Sequence, residues 1–372
     1  MDKIRVLIVD DSSVIRSIIR EALSHSNHIE VVGEAEDPLI ARDLIKKLNP
    51  DVLTLDVEMP KMDGITFLMN LMRLRPMPVI MLSTLTTKGA DITLQALEIG
   101  ALDFIAKPTV QELMATQDSF KEVLIEKITQ AVKVDQKNFK ISNTLENNKA
   151  SNKATNDIDN ILPFTGGKRA NHLIAIGAST GGTEAIKKLL VRLPSNSPAI
   201  VITQHIPKTF SLRFAQRLND MCKVEVHEAS HGQKIKEGHV YIAPGDKHLE
   251  VVHKSGSLFC TLTDGPEVNR HKPAVDVLFD SLTNLADNVQ AVLLTGMGKD
   301  GAEGMLRLKE HGAKTIIQDK NSSLIWGMPG KAHDISAHTV DLPLGEIAKE
   351  LLDYATLDRV DMKNVLAQKV EK

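Results

Sequence analysis

At 372 residues the chain is long enough for two ordinary domains, each able to bury its own hydrophobic core. An apolar content of 42%, a charged content of 25% and a net charge of −3 are typical of a soluble globular protein. These values exclude a nucleic-acid-coating or membrane-binding surface that rests on bulk charge. The chain has two cysteines, Cys222 and Cys260, with no motif around either, which favours a reducing compartment and no disulfide framework.

The first apolar run is followed directly by Asp10 and Asp11. It is too short and too acidic for a signal peptide, and no later apolar run reaches membrane-spanning length. We therefore expect a cytoplasmic protein that does not insert into the membrane.

Residues 1–136 alternate short apolar runs with stripes of helical spacing. Strands are predicted at residues 4–9, 31–32, 52–55, 79–82 and 104–105, each followed by a helix. This alternation predicts an α/β domain with an open, doubly wound parallel sheet.

The periodicity disappears in the Asn-rich residues 137–169, which predict a flexible linker because they cannot bury enough apolar area to offset their ordering entropy. The apolar residues 161–164 interrupt it and are predicted to dock on a domain surface.

Residues 170–356 resume the α/β pattern and predict a second doubly wound parallel-sheet domain, with a β-hairpin insertion over about residues 224–262. Residues 357–372 are expected to form a C-terminal tail.

Polar side chains gather at the predicted strand ends of the first domain. They are Asp10, Asp11, Asp56, Ser83 and Lys107. Ligands of open parallel sheets bind at this edge, and converging carboxylates repel one another unless a hard cation such as Mg²⁺ lies between them. One carboxylate can then accept a phosphoryl group while the metal and a lysine neutralise the phosphoryl oxygens. Taken singly, an aspartate could cap the next helix and the lysine could be a surface charge, but together they favour a phosphoryl site.

With these residues in place, roughly residues 3–125 resemble response-regulator receiver domains, which have a flavodoxin-like fold. The resemblance implies that Asp56 is the phospho-acceptor. It also implies that Mg²⁺ is bound by Asp10, Asp11 and Asp56, together with the backbone carbonyl of Glu58.

The same resemblance assigns roles to three further residues. Lys107 is expected to contact the phosphoryl group, and Ser83 and Phe104 are expected to form the switch pair. Many receivers have tyrosine where this chain has Phe104, so no hydroxyl is expected to take part in the switch at that position.

The second domain opens with an apolar run that breaks at Gly177-Ala178-Ser179-Thr180-Gly181-Gly182, before a helical stripe. Ser179 stands in the Gly-x-Ser-x-Gly pattern of a nucleophile elbow, where backbone N–H groups at a helix N-terminus can face an oxyanion. A phosphate-binding glycine loop and a plain tight turn are the alternatives.

A nucleophilic serine needs a base and a group that orients the base. His205 ends a strand predicted to neighbour that of Ser179, whereas His172 precedes its strand and is expected at the opposite edge. Asp300, at another glycine-rich strand-to-helix turn, is the candidate orienting carboxylate, with a helix N-cap as the alternative role. The glycines around Met297 let its backbone N–H complete an oxyanion hole.

Five further histidines of this domain fall in the predicted hairpin region. They are His227, His231, His239, His248 and His253. Their spacing is not that of a zinc site, so no metal site is expected there.

The chain order of Ser179, His205 and Asp300 differs from the Ser–acid–His order of α/β-hydrolases. Roughly residues 170–350 instead resemble the Rossmann-like catalytic domain of the chemotaxis protein-glutamate methylesterases, the CheB family. The resemblance lies in residues 177–182, 204–205, 241–245, 269–276, 296–301 and 326–330.

This resemblance implies hydrolysis of glutamyl methyl esters on methyl-accepting chemotaxis receptors to glutamate and methanol, with deamidation of certain receptor glutamines as a second reaction. The esterase is expected to need no cofactor. A chemotaxis histidine kinase is the implied phosphodonor, and phosphorylation at Asp56 is expected to move the receiver away from the active-site cleft. Arg270 and His271, just before a predicted helix, are candidates for substrate contact.

Three other functions stay open on the sequence. A receiver-driven transcription factor is disfavoured by the net charge and by the lack of a helix-turn-helix with a basic recognition helix, so no nucleic-acid partner is expected. A catalytically silent receptor adaptor predicts no effect of Ser179→Ala. A hydrolase of small esters predicts turnover that ignores phosphorylation.

Overall fold

The computed structural model describes residues 3–59, 62–107, 110–134, 161–164 and 172–356, with the backbone alone for residues 110–119. The chain divides into two compact units, Met1–Ala154 and Thr155–Lys372. The predicted tail and all of the predicted linker except residues 161–164 lie outside the described residues.

The first unit contains a five-stranded parallel sheet. Its strands are β1 (Ile4–Val9), β2 (Ile29–Ala35), β3 (Val52–Asp56), β4 (Val79–Ser83) and β5 (Asp103–Ala106). They lie in the order β2-β1-β3-β4-β5, and neighbouring strands are parallel. The predicted doubly wound sheet is confirmed, although the second and fifth strands are longer than predicted.

A helix follows each strand of this sheet. The helices are α1 (Ser13–Ser24), α2 (Pro38–Leu48), α3 (Gly64–Leu74), α4 (Thr87–Ile99) and α5 (Val110–Ala131). Polar side chains mark where they begin: Asp37 accepts hydrogen bonds from two N–H groups of α2, and Ser12 accepts one from α1. Because Ser12 is the N-cap of α1, the alternative role of Asp10 or Asp11 as that cap is wrong.

The second unit is built on a seven-stranded parallel sheet. The strands of this unit are β6 (Leu173–Ala178), β7 (Ala199–Gln204), β8 (Glu225–Glu228), β9 (His239–Ile242), β10 (His248–Lys254), β11 (Ser257–Thr263), β12 (Val289–Leu293), β13 (Lys314–Gln318) and β14 (Val340–Leu342). The main sheet has the order β14-β13-β12-β6-β7-β9-β8. The central strands β6, β7 and β12 are buried along their whole length, as expected for a parallel sheet covered on both faces.

The helices of the second unit connect and cover these strands. They are α6 (Gly182–Leu190), α7 (Lys208–Met221), α8 (Val275–Ser281), α9 (Ala302–Glu310), α10 (Met328–Asp334) and α11 (Leu344–Thr356), with a 3-10 helix at Thr283–Asn288. Their buried faces pack on a core that includes Phe279, Met305 and Met328. No helix among the described residues is both long enough and apolar enough to cross a bilayer.

The predicted hairpin insertion is confirmed only in its second half. β10 and β11 form an antiparallel two-stranded sheet, whereas β8 and β9 pair in parallel with each other and extend the main sheet beyond β7. The extent predicted for the hairpin was therefore wrong. Four-residue strands bounded by turns have the same sequence pattern in an antiparallel hairpin and in a parallel edge pair.

The apolar residues 161–164 dock on the second unit, as predicted. The N–H of Leu162 donates to the carbonyl of Arg192, and the side chain of Asn196 donates to the carbonyl of Phe164. The Phe164 side chain is buried.

Candidate functional site

Ser179 lies at the turn between β6 and α6, where the nucleophile-elbow pattern predicts it. Its N–H donates to the carbonyl of Thr295 at 3.1 Å, and its own carbonyl accepts from the N–H of Gly182 at 2.7 Å and from the side-chain amide of Gln204 at 3.0 Å. Gly181 has a φ of +76°, which glycine adopts without strain. These bonds fix a half-buried serine at the carboxyl edge of the sheet.

His205 follows β7, the strand that pairs with β6. Ala178 and Gln204 are partners in this parallel ladder, and the N–H of His205 donates to the carbonyl of Ala178 at 3.1 Å. Ser179 and His205 are therefore the next residues along two adjacent strands, and the predicted neighbourhood of these strands is confirmed.

Asp300 is buried and is held by four hydrogen-bond donors. Its Oδ2 lies 2.8 Å from Nε2 of His205 and accepts from the N–H of Val275 at 2.6 Å. Its Oδ1 accepts from the side-chain amide of Asn269 at 3.0 Å and from the N–H of Asp276 at 3.1 Å. Burial opposes ionisation, but the hydrogen bonds outweigh it and lower the pKa of Asp300 to about 2. The carboxylate is thus charged where it faces the imidazole.

Because Nε2 of His205 contacts Asp300, Nδ1 is the ring nitrogen that remains for a second hydrogen-bond partner. Nδ1 is buried, and within the described part of the chain it has no hydrogen-bond partner. A serine hydroxyl could donate to it. The alternative role of Asp300 as cap of α9 is wrong, because Gly301 is the N-cap and no side chain caps that helix.

Asn269 and Asp276 extend this arrangement beyond the residues singled out from the sequence. Nδ2 of Asn269 lies 2.7 Å from Oδ2 of Asp276 and 3.0 Å from Oδ1 of Asp300, so one amide bridges two carboxylates. Asp276 also accepts from the N–H of Gly304 at 2.7 Å. Burial raises the pKa of Asp276 to about 6. The φ of Asn269 is +52°, in a backbone region where asparagine is enriched. An asparagine in a segment without periodicity was therefore the one sequence signal for this turn.

The two candidate substrate contacts have different environments. The ring of His271 stacks on that of His205, with centroids 3.6 Å apart and an angle of 16° between the planes. Arg270 is exposed and has a φ of +67°. The structure therefore brings His271 against the candidate base and leaves Arg270 at the surface.

Met297 lies in the glycine-rich turn after β12, close to the serine. A Cβ on the preceding Gly296 would come within 2.8 Å of the Cβ of Ser179, so the two turns touch. The carbonyl of Gly296 accepts from the N–H groups of Gly327 and Met328 at 3.2 and 2.9 Å. This anchoring holds the half-buried Met297 beside the turn that carries Ser179.

The predicted phosphoryl site of the first unit is assembled around Lys107. Its Nζ lies 2.8 Å from Oδ2 of Asp10 and 2.8 Å from Oδ1 of Asp56, and both carboxylates are buried. The N–H of Glu58 donates to Oδ1 of Asp56 at 3.3 Å. Burial and the charge of Asp10 raise the pKa of Asp56 to about 6, although Lys107 opposes the shift.

These acidic residues fit a hard divalent cation. Carboxylate oxygens of Asp10, Asp11 and Asp56 all lie within 4.8 Å of one another, and Asp11 is exposed at the mouth of the group. Lys107 is the one lysine within 4 Å of the carboxylates of Asp10 and Asp56 in the described part of the chain, and a single positive charge does not balance three carboxylates. Oxygen ligands of this kind are those that Mg²⁺ prefers.

The predicted switch residues are both buried. The hydroxyl of Ser83 lies 3.3 Å from the carbonyl of Gly89, and Thr93 donates its hydroxyl to Ser83 at 2.7 Å. The Phe104 side chain is 8% exposed. Ser83 is therefore tied to α4 by these two bonds.

Two family models match the chain, the response regulator receiver domain over residues 6–117 and the CheB methylesterase over residues 174–351. A protein-glutamate methylesterase/protein-glutamine glutaminase of Hydrogenovibrio crunogenus is 50% identical over 372 residues, covering 95% of this chain and 99% of that protein. Protein-glutamate methylesterase/protein-glutamine glutaminase 1 of Xanthomonas euvesicatoria is 48% identical over 354 residues, covering 94% of this chain and 96% of that protein. The crystal structure of the Thermotoga maritima CheB methylesterase catalytic domain matches with a TM-score of 0.48 and 35% identity, covering 49% of this chain and 98% of that domain. This chain belongs to the CheB methylesterase family, with a response-regulator receiver domain in its amino-terminal part.

Proposed function

We propose that this chain is a phosphorylation-activated protein-glutamate methylesterase that acts in chemotaxis. It hydrolyses glutamyl methyl esters on methyl-accepting chemotaxis receptors, and it deamidates certain receptor glutamines by the same route. The observation that carries the proposal is the His205–Asp300 pair beside the Ser179 turn in a chain of this family.

Ser179 is the nucleophile and His205 is the base. The hydroxyl oxygen attacks the ester carbonyl while its proton moves to Nδ1 of His205, the nitrogen that Asp300 does not occupy. The imidazolium returns this proton to the methoxide, which leaves as methanol. Water then attacks the acyl-enzyme with His205 again as base, which releases the glutamate side chain. With a glutamine substrate, ammonia is the leaving group.

Asp300 and Met297 act on charge that develops during the reaction. The Asp300 carboxylate fixes Nε2 of His205 as the protonated nitrogen and stabilises the imidazolium. The N–H of Met297 is the proposed donor to the oxyanion, at a turn whose neighbour Gly296 touches Ser179. Arg270 and His271 are the proposed contacts of the receptor segment.

The receiver controls this reaction through Asp56, which takes a phosphoryl group from a chemotaxis histidine kinase. Asp10, Asp11, Asp56 and the carbonyl of Glu58 would hold the proposed Mg²⁺, which would supply positive charge to phosphoryl oxygens. Lys107 contacts the phosphoryl group, and Ser83 and Phe104 respond to it.

The proposed domain limits are 1–136 for the receiver, 137–169 for the linker and 170–356 for the catalytic domain, followed by the tail. A cytoplasmic location is part of the proposal, because the family's substrates are cytoplasmic receptor helices. The transcription-factor alternative has no support, since residues 174–351 match a methylesterase family.

The test is methanol release from receptor-containing membranes methylated in vitro, with and without a small-molecule phosphodonor. The wild type is expected to release methanol and to do so faster with phosphodonor. Ser179→Ala is expected to lose at least about a thousand-fold in rate, as for the loss of a nucleophile in a triad. Ser230→Ala, an exposed serine on a loop, is the matched control and is expected to behave as wild type.

The three possible failures are distinguishable. Equal release by wild type and Ser179→Ala contradicts the proposed nucleophile. Release that ignores phosphodonor contradicts the receiver control and favours an ungated hydrolase. Phosphorylation of Asp56 without any methanol release favours the silent adaptor.

A further inference from the structure

Three metal-ligating side chains meet on the main sheet of the second unit, away from the candidate active site. Glu225 and His227 are two residues apart on the edge strand β8, so they share one face of the sheet. His239 is the direct partner of Glu225 on the adjacent parallel strand β9. Two ligands from one strand and one from its neighbour are therefore presented on the same face.

Their spacing matches that of ligands around one metal ion. Nε2 of His227 lies 3.0 Å from Nδ1 of His239, and Oε2 of Glu225 lies 3.8 and 3.6 Å from these two nitrogens. Ligand atoms about 2.0–2.1 Å from a tetrahedral Zn²⁺ are separated from one another by about 3.4 Å. A hydrogen bond between the imidazoles explains the shortest distance but not the convergence of the carboxylate on both nitrogens.

The exposure of the three side chains also suits a metal ion that exchanges with solvent. The side chains of Glu225, His227 and His239 are 68%, 35% and 21% exposed. Solvent can therefore supply a fourth ligand.

We propose that Glu225, His227 and His239 bind one divalent transition-metal ion of the zinc type. Two imidazoles and one carboxylate select Zn²⁺, Co²⁺ or Ni²⁺ over Mg²⁺ or Ca²⁺, which prefer all-oxygen sites. This proposal departs from the expectation drawn from the spacing of the histidines, because the third ligand comes from a neighbouring strand.

The position of this site predicts a structural role. Glu225 and His239 are the first residues of their strands, whereas Ser179 and His205 follow the carboxyl ends of theirs, so the two sites lie at opposite edges of the parallel sheet. The metal ties the edge strand β8 to β9, and methanol release is expected not to depend on it.

The experiment uses the full chain, stripped with a chelator and then supplied with excess Mg²⁺ to fill the acidic group of the receiver. Zn²⁺ is titrated in competition with a chromogenic chelator, and Co²⁺ absorbance reports the coordination geometry.

One equivalent of Zn²⁺ is expected to bind with a Kd below about 50 µM, and the double variant His227→Gln/His239→Gln is expected to bind it at least about ten-fold more weakly. His253→Gln, an exposed histidine of β10, is the matched control and is expected to bind as wild type. A weaker wild-type Kd, or equal affinity in the double variant, overturns the proposal.

A second measurement needs no variant. Zn²⁺ is expected to protect His227 and His239, but not His253, from diethyl pyrocarbonate, with the modified peptides quantified by mass spectrometry. Equal modification of all three with and without Zn²⁺ overturns the proposal even if the double variant fails to fold.

Discussion

The imidazole rings of His205 and His271 are stacked face to face, with centroids 3.6 Å apart. In the proposed mechanism His205 becomes a cation when it takes the serine proton. An aromatic face against an imidazolium stabilises it and fixes the plane of its ring. His271 is therefore proposed to support the base as well as to contact the substrate.

Removing this ring is expected to slow the chemical step. His271→Ala should lower kcat about ten-fold, which corresponds to the ~1.4 kcal/mol that a desolvated cation–π contact can supply. His271→Phe keeps a ring at the same position and should retain most of the activity. The assay is methanol release at saturating receptor. If the phenylalanine variant is as slow as the alanine variant, the ring nitrogens matter and the stacking does not.

Asn269 is expected to act by positioning Asp300. Its amide bridges the two buried carboxylates, and its φ of +52° is adopted more easily by asparagine or glycine than by alanine. Asn269→Gly removes the amide alone, whereas Asn269→Ala also strains the backbone. Both should lower kcat about ten-fold, because His205 loses a fixed partner, and the alanine variant should also have the lower Tm. Wild-type kcat in Asn269→Gly would show that the amide is dispensable.

Gly296 is expected to be sensitive to the addition of one methyl group. A Cβ there would overlap the sulfur of Met328 and come within 2.8 Å of the Cβ of Ser179. Gly296→Ala should therefore displace the serine turn and reduce kcat about a hundred-fold, the loss typical of a misplaced reacting group. Gly345→Ala is the control, since a Cβ at that position meets nothing within 4 Å. Equal rates for both variants would contradict the close approach of the two turns.

Site residues that directly follow a strand could be predicted from the sequence. Site residues whose position depends on how distant segments pack together could not. Ser179 and His205 follow apolar runs typical of buried parallel strands, so their neighbourhood followed from the predicted topology. Asn269 precedes α8 in a segment without periodicity, and its bonds to Asp276 and Asp300 depend on how that helix packs. Glu225 and His239 were assigned to a hairpin because a parallel edge pair has no distinct pattern, and the convergence of their side chains was missed with it.

Removal of Mg²⁺ is expected to separate the two activities of the chain. In the proposed function the acidic group of the receiver accepts a phosphoryl group with the help of a cation, whereas the esterase steps use Ser179, His205 and Asp300 alone. EDTA should abolish the stimulation by phosphodonor, leave basal methanol release unchanged, and be reversed by added Mg²⁺. Asp56→Asn should have the same basal rate and no stimulation at any Mg²⁺ concentration. Loss of basal release in EDTA that only a transition metal restores would contradict this separation.

Asp276 is expected to make the stability of the second unit depend on pH. Burial raises its pKa from the ordinary 3.8 to about 6, so the folded state holds the proton more tightly than the unfolded state. The resulting stabilisation is complete below pH 3.8 and is lost as the pH rises through 6. Asp276→Asn cannot ionise, and it should be less stable than wild type at pH 4 because one hydrogen-bond acceptor is lost.

The free-energy difference between wild type and Asp276→Asn should therefore shrink by at most about 3 kcal/mol from pH 4 to pH 7, at ~1.4 kcal/mol for each unit of pKa shift. Trp326 is the one tryptophan of the chain, so its fluorescence during urea denaturation follows the second unit alone. Asp220→Asn, at an exposed position on α7, is the control and should show a difference that is nearly constant with pH. A constant difference for Asp276→Asn as well would mean that Asp276 is ionised over the whole range, and that the bonds from Asn269 and Gly304 outweigh its burial.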